Sequence, residues 1–376
     1  MDKQLHIVCL DVPFPANYGG AIDAFYLMKA LYAQGIHITL HCFAYGSRSK
    51  QAELEKYCKR VYYYNRKPYW QFILSKTPFI IASRKNNALL KNLLQNDAPI
   101  LFEAIHTSGF IHHPALQHRK KIVRTLNVES DYYLQLAEHA TSYIQKQYYQ
   151  IEAKRLLQYE QTQLSNVSIA CIAKHDQAYF QKFYSPEQCK YIGAFHPFSQ
   201  VAISAGQGEY CLYHGNLGVA ENNTSAIWLV ENIFSKCIQP FILAGANPSE
   251  ELQQAVKQFP HISIIANPSK NKMEELIGNA QIHVLPSFQD TGLKLKLLHA
   301  LFAGRHCVVN ELMLTGTNLH SACTVANTSI EWITAIEKLF TTPFTNTDIE
   351  NRKAILENQF SVQKNGKDLV EMVFGG

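Results

Sequence analysis

The chain has 376 residues, of which 47% are hydrophobic and 17% charged. That is enough apolar material for two ordinary cores, and it excludes a disordered or fibrous protein. No stretch approaches the roughly 18 to 20 uninterrupted apolar residues of a membrane span. The formal charge of +5 is uneven: residues 1–200 hold 23 Lys+Arg against 14 Asp+Glu, and the remainder hold 12 against 16. The first half therefore suits an anionic partner such as a membrane surface or a phosphorylated lipid, or it carries an uneven solvated surface. No known nucleic-acid-binding pattern is present, so nucleic acid is not expected as a partner. The nine cysteines lie at least 16 positions apart, which leaves no metal knuckle or redox pair. The apolar run at Leu5–Leu10 lacks the length and cleavage pattern of a signal peptide. A cytoplasmic protein is expected.

The pattern along the chain predicts alternating strands and helices. A first strand over Leu5–Leu10 leads through Asp11-Val12-Pro13-Phe14-Pro15 to the turn Asn17-Tyr18-Gly19-Gly20. A helix follows over Ala21–Gln34, with Ala24, Leu27 and Leu31 on one face and Gly35 as its stop. Further strands are expected at Ile36–Phe43, Val61–Tyr64, Ile100–Ile105, Lys121–Leu126 and Val167–Ala173, with one long helical stretch over 131–165. The small polar residues Ser204–Glu209 read as a linker. After them the pattern restarts, with strands at Tyr210–His214, Pro240–Ala244, Ile262–Ala266, Ile282–Leu285 and Cys307–Asn310, and helices at Thr224–Phe234, Glu250–Gln258 and Leu293–Phe302. The last 25 or so residues read as helical. Such alternation implies two doubly wound parallel sheets facing a cleft.

Several strand ends carry chemistry. Thr291-Gly292-Leu293-Lys294-Leu295-Lys296-Leu297-Leu298-His299 follows the strand ending at Pro286-Ser287 and opens a helix. A glycine turn, two ammonium groups and a helix N-terminus make a place to hold a diphosphate; the alternative is a core helix with solvated lysines. Gly19-Gly20 occupies the corresponding turn of the first half, as a ligand-approach point or as a plain tight turn. It is neither Gly-x-Gly-x-x-Gly nor a P-loop, so a nicotinamide cofactor is disfavoured and no cofactor is expected. Glu103 and His106 close one strand, where His106 can bind a hydroxyl, move a proton or simply fill the core. Arg124, Asn127 and Glu129 close the next, as a phosphate and hydroxyl clamp, or as a helix N-terminus capped by Asn127 or Ser130. His214-Gly215-Asn216 ends the first strand of the second half. No Asp-x-Asp occurs, so no metal site is expected.

Taken in order, Pro13–Gly20, Arg124-x-x-Asn127-x-Glu129, His214-Gly215-Asn216, Pro286-Ser287 before Thr291-Gly292, and Phe360-Ser361-Val362 resemble the GT-B glycosyltransferases. The resemblance is in particular to their retaining family 4, also called group 1. The resemblance spans nearly the whole chain. It implies two Rossmann-like domains, an acceptor domain over 1–203 and a donor domain over 204–352, with a helix over 353–376 returning to the first. It also implies metal-independent, retaining transfer of a sugar from a nucleotide diphosphate sugar to a glycan or lipid-linked acceptor, as in cell-surface polysaccharide biosynthesis. By residue, it assigns the diphosphate to Lys294 and Lys296 and the ribose to His299. Gly19, Gly20, His106 and Asn127 line the transfer site, Arg124 and Glu129 orient them, and Glu103, His214, Gly215, Asn216, Thr291 and Gly292 contact substrates.

The chain departs from the family pattern in two places. The paired glutamates of the donor motif are Thr291 and His299 here, and Val219-Ala220-Glu221-Asn222 lacks the usual lysine. These departures leave a second reading, a catalytically inactive GT-B-like binding or scaffold protein. The aromatic, basic stretch from Tyr62 to Lys85, with Tyr69, Trp70, Phe72, Ile73, Phe79 and Ile80, suits either a buried strand and helix or peripheral contact with the inner face of a membrane.

Overall fold

The computed structural model describes residues 3–46, 48–68, 75–140, 142–288 and 294–375. The chain forms two compact units, Met1–Pro197 with Val362–Gly376, and Phe198–Ser361.

The first unit is built on β1 (Gln4–Cys9), β2 (His37–Ala44), β3 (Arg60–Asn65), β4 (Ile100–Glu103), β5 (Lys121–Thr125), β6 (Ser168–Cys171) and β7 (Cys189–Tyr191). These pair in the order β3-β2-β1-β4-β5-β6-β7, and every pairing is parallel. A parallel sheet covered on both faces needs strands that are apolar throughout, and β1 is buried from Leu5 to Cys9. The helix Gly19–Tyr32 buries Ala24, Phe25, Leu27, Met28 and Leu31 along one side. Its chain then turns at Gly35, which sits at φ 75°.

The single helix expected over 131–165 is two, Glu129–Glu138 and Tyr143–Thr162. They pack on one another. Glu160, on the second, accepts hydrogen bonds from the backbone N–H groups of Glu129 (2.7 Å) and Ser130 (3.3 Å) at the start of the first. That tertiary bond replaces the local cap expected from Asn127 or Ser130; Val128 stands at the N-cap position and caps nothing with its side chain. The described part of the aromatic stretch is largely core, since Tyr64, Ile80 and Ile81 are buried. Its residues 69–74 lie outside the described residues.

The helix Val362–Phe374 completes the first unit. Leu369, Met372 and Val373 join the same core as Leu27, Met28 and Leu31. A Cβ at Gly366 would come 3.6 Å from Ala30 Cβ, an ordinary contact, and 2.5 Å from Gln34 Nε2, so the exposed Gln34 side chain would have to swing aside.

A buried polar chain crosses the first sheet. His6 Nε2 lies 2.9 Å from Asn96 Oδ1, His6 Nδ1 lies 2.8 Å from His41 Nε2, and His41 Nδ1 lies 2.8 Å from Tyr64 OH, which accepts from Asn92 Nδ2 at 2.9 Å. Asn96 Oδ1 can only accept, so His6 donates from Nε2 and accepts at Nδ1. His41 therefore donates from Nε2 and accepts from Tyr64. With both imidazoles neutral in these tautomers, every donor along the chain meets an acceptor. Burial lowers the His6 pKa to about 4 and moves His41 the same way. Between the unfolded value near 6.5 and that lowered value the unfolded chain binds more protons, so this contribution is full above about pH 6.5 and is lost as pH falls towards 4. The raised carboxyls described below act oppositely in part of this range, so the difference between two proteins isolates the histidine. Wild type is expected to lose about 3 kcal/mol relative to His6→Gln between pH 6.5 and 4, read as urea midpoints. Parallel curves for the two proteins would contradict this account of the chain.

The second unit holds β8 (Cys211–His214), β9 (Phe241–Gly245), β10 (Ile262–Ala266), β11 (Ile282–Leu285), β12 (His306–Val309) and β13 (Thr324–Val325). Their order is β10-β9-β8-β11-β12-β13, again parallel at every pairing. The residues 204–209, expected as a linker, are fastened to this unit. Gly206 bridges Phe344, Gln207 Nε2 donates to Phe340 O (2.8 Å), and Gly208 N donates to Gln281 Oε1 (2.7 Å). Among the described residues no helix is long and apolar enough to cross a membrane.

Candidate active site

In each sheet the strand order reverses once, between β1 and β4 and between β8 and β11. Loops leaving neighbouring strands in opposite directions open a crevice at their carboxyl ends, where open α/β sheets take ligands. The residues singled out by the sequence gather at these two places, one in each unit.

In the first unit, the loop after β1 reaches Gly19 and Gly20 at the start of the helix Gly19–Tyr32, whose N-cap Tyr18 does not cap it with its side chain. A small crevice here is lined by Asp11, Tyr18, Gly20, Glu103 and Leu126, among others. Glu103 ends β4 and is buried, and its Oε2 lies 3.6 Å from Arg124 Nη1. Burial raises its pKa to about 7, opposed by Arg124. Arg124, expected in a phosphate clamp, is instead turned fully into the interior. Its guanidinium meets the Asp23 carboxylate with both Nη atoms, donates to Gly193 O at 3.2 Å, and stands 5.2 Å from the Phe195 ring. Asp23 also accepts from Phe195 N at 2.7 Å. This arginine ties β5 to the first helix and to the chain after β7, and it presents no donor to a ligand.

His106, Asn127 and Glu129 do come together. His106 stands in the turn after β4, with Nδ1 3.8 Å from Glu129 Oε1, and Asn127 hydrogen-bonds Glu129. Burial, with Arg84 and Arg66 adding, lowers the His106 pKa, so the ring is neutral at neutral pH. Glu129 was expected in the phosphate and hydroxyl clamp. Burial first and the Glu160 carboxyl second push its pKa up to about 8, so it is a neutral acid at pH 7 and can donate a hydrogen bond. A neutral imidazole beside a neutral carboxylic acid can hold a hydroxyl and share its proton.

In the second unit, His214 ends β8 and is buried, its ring edge-on to those of His283 and His299 at 5.6 Å each. Burial, then His299, lowers its pKa. The chain after it passes very close to β9: a Cβ at Gly245 would lie 1.7 Å from Gly215 O, so that position admits glycine alone. Asn216 is occupied within its own loop, its Oδ1 accepting from Gly218 N and its carbonyl from Asn222 Nδ2.

The lysines sit at the start of the helix Leu295–Ala303, whose N-cap Lys294 forms no side-chain cap. Lys296 Nζ lies 2.6 Å from Asn222 Oδ1, 3.3 Å from Tyr213 OH and 5.2 Å from the Tyr213 ring centroid. Burial lowers its pKa to about 8, with Glu221 opposing and Lys294 adding. Lys294 Nζ is 3.3 Å from Glu221 Oε1, which also accepts from Ser287 Oγ at 3.0 Å. His299 Nε2 lies 3.1 Å from Glu274 Oε2, and its ring packs 4.6 Å from that of Phe198. Thr291 and Gly292 lie outside the described residues.

Ammonium groups, a helix N-terminus and nearby hydroxyls make an anion site. The sequence reading missed the partners that set it: Tyr213, Glu221 and Ser287 against the lysines, and Glu274 behind His299. It also missed Asp11 and Arg48 around the first glycine turn. Asp11 and Ser287 each lie just past a strand end, which was the available signal.

Residues 208–342 match the family "Glycosyl transferases group 1". A Klebsiella pneumoniae protein described as an uncharacterized 44.6 kDa protein in the cps region is 25% identical over 395 aligned positions, covering 96% of each chain. Sucrose-phosphate synthase from Thermosynechococcus elongatus superposes with a TM-score of 0.70 over 98% of both chains, at 12% identity. WaaG, a glycosyltransferase involved in lipopolysaccharide biosynthesis, does so at 0.66 over 99% of this chain and 100% of its own, at 13% identity. Anabaena HepE, solved with UDP and glucose, matches at 0.66 over 100% of both chains, at 12% identity.

Proposed function

We propose that the chain, which has the GT-B fold and whose second unit matches the group 1 glycosyl transferases, is a glycosyltransferase that moves a sugar from a nucleotide diphosphate sugar to a glycan or lipid-linked acceptor. The setting is the assembly of a cell-surface polysaccharide. The observation that carries this reading is the placement of Lys294 and Lys296 at a helix N-terminus beside the β8 loop. The UDP and glucose bound by HepE support a nucleotide sugar donor, and the cps-region relative supports the polysaccharide setting.

In this reading the second unit holds the donor. The stretch Val219–Asn222 lacks the usual lysine, and Lys296 brings its ammonium to Asn222 from the opposite loop. An arriving diphosphate draws Lys294 away from Glu221 and raises the pKa of Lys296, so both cations meet the charge that grows as the sugar leaves. The carboxylates absent from the donor motif are available nearby, Glu221 beside Lys294 and Glu274 behind His299, each able to accept a sugar or ribose hydroxyl. In the retaining, metal-independent route implied by the family resemblance, the departing phosphate takes the acceptor proton. His106, Asn127 and Glu129 of the first unit then orient the acceptor hydroxyl and supply no obligatory base.

Calorimetric titration with UDP, GDP, ADP, TDP and CMP tests this. One nucleoside diphosphate is expected to bind, and its sugar derivative to turn over. A folded protein that binds none of them would return the chain to the non-catalytic scaffold reading. A lipid-linked acceptor further predicts sedimentation with anionic vesicles at the inner face of a membrane, and failure to sediment would favour a soluble glycan.

A further inference from the structure

The loop Asp11–Tyr18, between β1 and the Gly19–Gly20 turn, contains no regular structure. A free loop of this length would sample many conformations, and its ordering needs a specific cause. Val12 and Phe14 anchor part of the loop in the core, and one side chain gathers its polar groups. Arg48, from the chain after β2, donates from Nη1 to Val12 O (2.6 Å) and Pro15 O (3.1 Å), and from Nη2 to Asn17 Oδ1. Its Nε lies 3.1 Å from Asp11 Oδ2, and its guanidinium lies over the Tyr18 ring at 4.6 Å. Asp11 completes the clasp by accepting from Val12 N (2.7 Å) and Tyr18 OH (3.0 Å). Both charged side chains are nearly covered, with exposures of 12% and 11%.

The geometry points to Arg48 as a positioning residue for sugar transfer, one that fixes the Gly19–Gly20 turn through Asp11 and Tyr18 without touching substrate. The inference rests on the reading that this turn lines the transfer site. Three features give the clasp that role. Arg48 and Asp11 neutralise one another, so the loop offers the helix N-terminus after Gly19 rather than a charge. Tyr18, the last residue before the turn, is held from both sides, by the Asp11 carboxylate at its hydroxyl and by the guanidinium at its face. The sheet does not depend on Arg48, because the end of β1 has its own tie: Arg84 Nε donates to Leu10 O at 3.0 Å. Loss of Arg48 frees the loop from residue 11 onward and leaves the strand in place. Only a planar fork can serve several carbonyl and carboxylate oxygens at once, so a lysine cannot replace it.

The test compares Arg48→Ala, Arg48→Lys and Gly20→Val in the full chain, with the nucleotide sugar identified by titration. Arg48→Ala is expected to lower kcat by about 100-fold, the scale of a misplaced but intact site. Nucleoside diphosphate affinity and the far-UV circular dichroism spectrum should match wild type. Amide exchange should quicken over residues 11–20 and stay slow over β1. Added guanidinium should restore part of kcat, and Arg48→Lys should restore less. If Arg48→Ala retains kcat within about twofold while Gly20→Val loses it, the clasp does not position the turn and the reading of the turn stands. If all three variants retain wild-type kcat, the turn does not line the transfer site and both ideas fall together. A drop in thermal midpoint with no rescue by guanidinium would make Arg48 a structural residue and overturn the proposal.

Discussion

Lys294→Ala/Lys296→Ala is expected to abolish nucleoside diphosphate binding and to lower kcat/KM by about 10⁴-fold or more, since each positioned donor to developing charge contributes about 10² to 10³. Far-UV circular dichroism should be unchanged, because neither ammonium is part of the apolar core: one leans on Asn222 and Tyr213, the other on Glu221. The single variants should differ. Lys294→Ala leaves the Glu221 carboxylate facing the diphosphate without its counter-ion, so adding Glu221→Gln should recover part of the loss. Lys296 adds a pH dependence. Its pKa of about 8 in the free protein means that affinity for the anionic ligand falls as pH rises through 8. The same titration of Lys296→Ala should lack that fall. Unchanged turnover in the double variant would remove the donor site from this helix.

Asp23→Ala is expected to destabilise the first unit by about 3 to 5 kcal/mol, the usual cost of leaving one partner of a buried ion pair uncompensated. Arg124 would keep only Gly193 O and a Glu103 oxygen 3.6 Å away, and Phe195 N would lose its acceptor. Glu103 modulates the result. With Asp23 present its pKa is raised to about 7; without Asp23 the guanidinium favours its ionised form and pulls that value down. Above the lowered value Glu103 neutralises Arg124, and below it does not, so the variant should suffer more at pH 5 than at pH 8. Urea unfolding at both values measures this. Equal losses at the two pH values would mean that Glu103 does not answer for the missing carboxylate. Replacing both partners, as in Arg124→Met/Asp23→Leu, leaves neither charge buried alone and should cost less than Asp23→Ala.

The strand-and-helix alternation was legible because strands of a covered parallel sheet are continuous apolar runs. Leu5–Leu10 and Ile36–Phe43 announce themselves for that reason. β7 and β13 did not, being three and two residues long, too short to leave a period. The helix Ser329–Phe340 was missed although Thr328 and Glu331 form a capping box in plain sequence. The division of 131–165 into two helices was not legible, and Glu160 reaching back to Glu129 is a contact that only the folded packing supplies.

The site divides in the same way. Turns at strand ends can be found from sequence, since fold geometry places them at the carboxyl edge of a sheet. What a side chain does there depends on partners distant in sequence. Arg124 next to Asn127 and Glu129 reads as a clamp, and its true partner, Asp23, lies 101 positions away. Glu221 meets Ser287 and Lys294 across 66 and 73 positions. No local pattern encodes such meetings, and the charge state of Glu129, set by its burial, is equally invisible before folding.

The place of the helix Val362–Phe374 in the first core has a consequence for biogenesis. A ribosome that has released Pro197 has not yet made Leu369, Met372 or Val373, so the nascent first unit leaves Leu27, Met28 and Leu31 uncovered while 164 further residues are translated. The second unit, continuous in the chain, can close as soon as it emerges, and the first must wait for it. The order of synthesis is thus the reverse of the order of completion. The interval in which chaperones would find exposed apolar surface belongs to the half of the molecule that is made first.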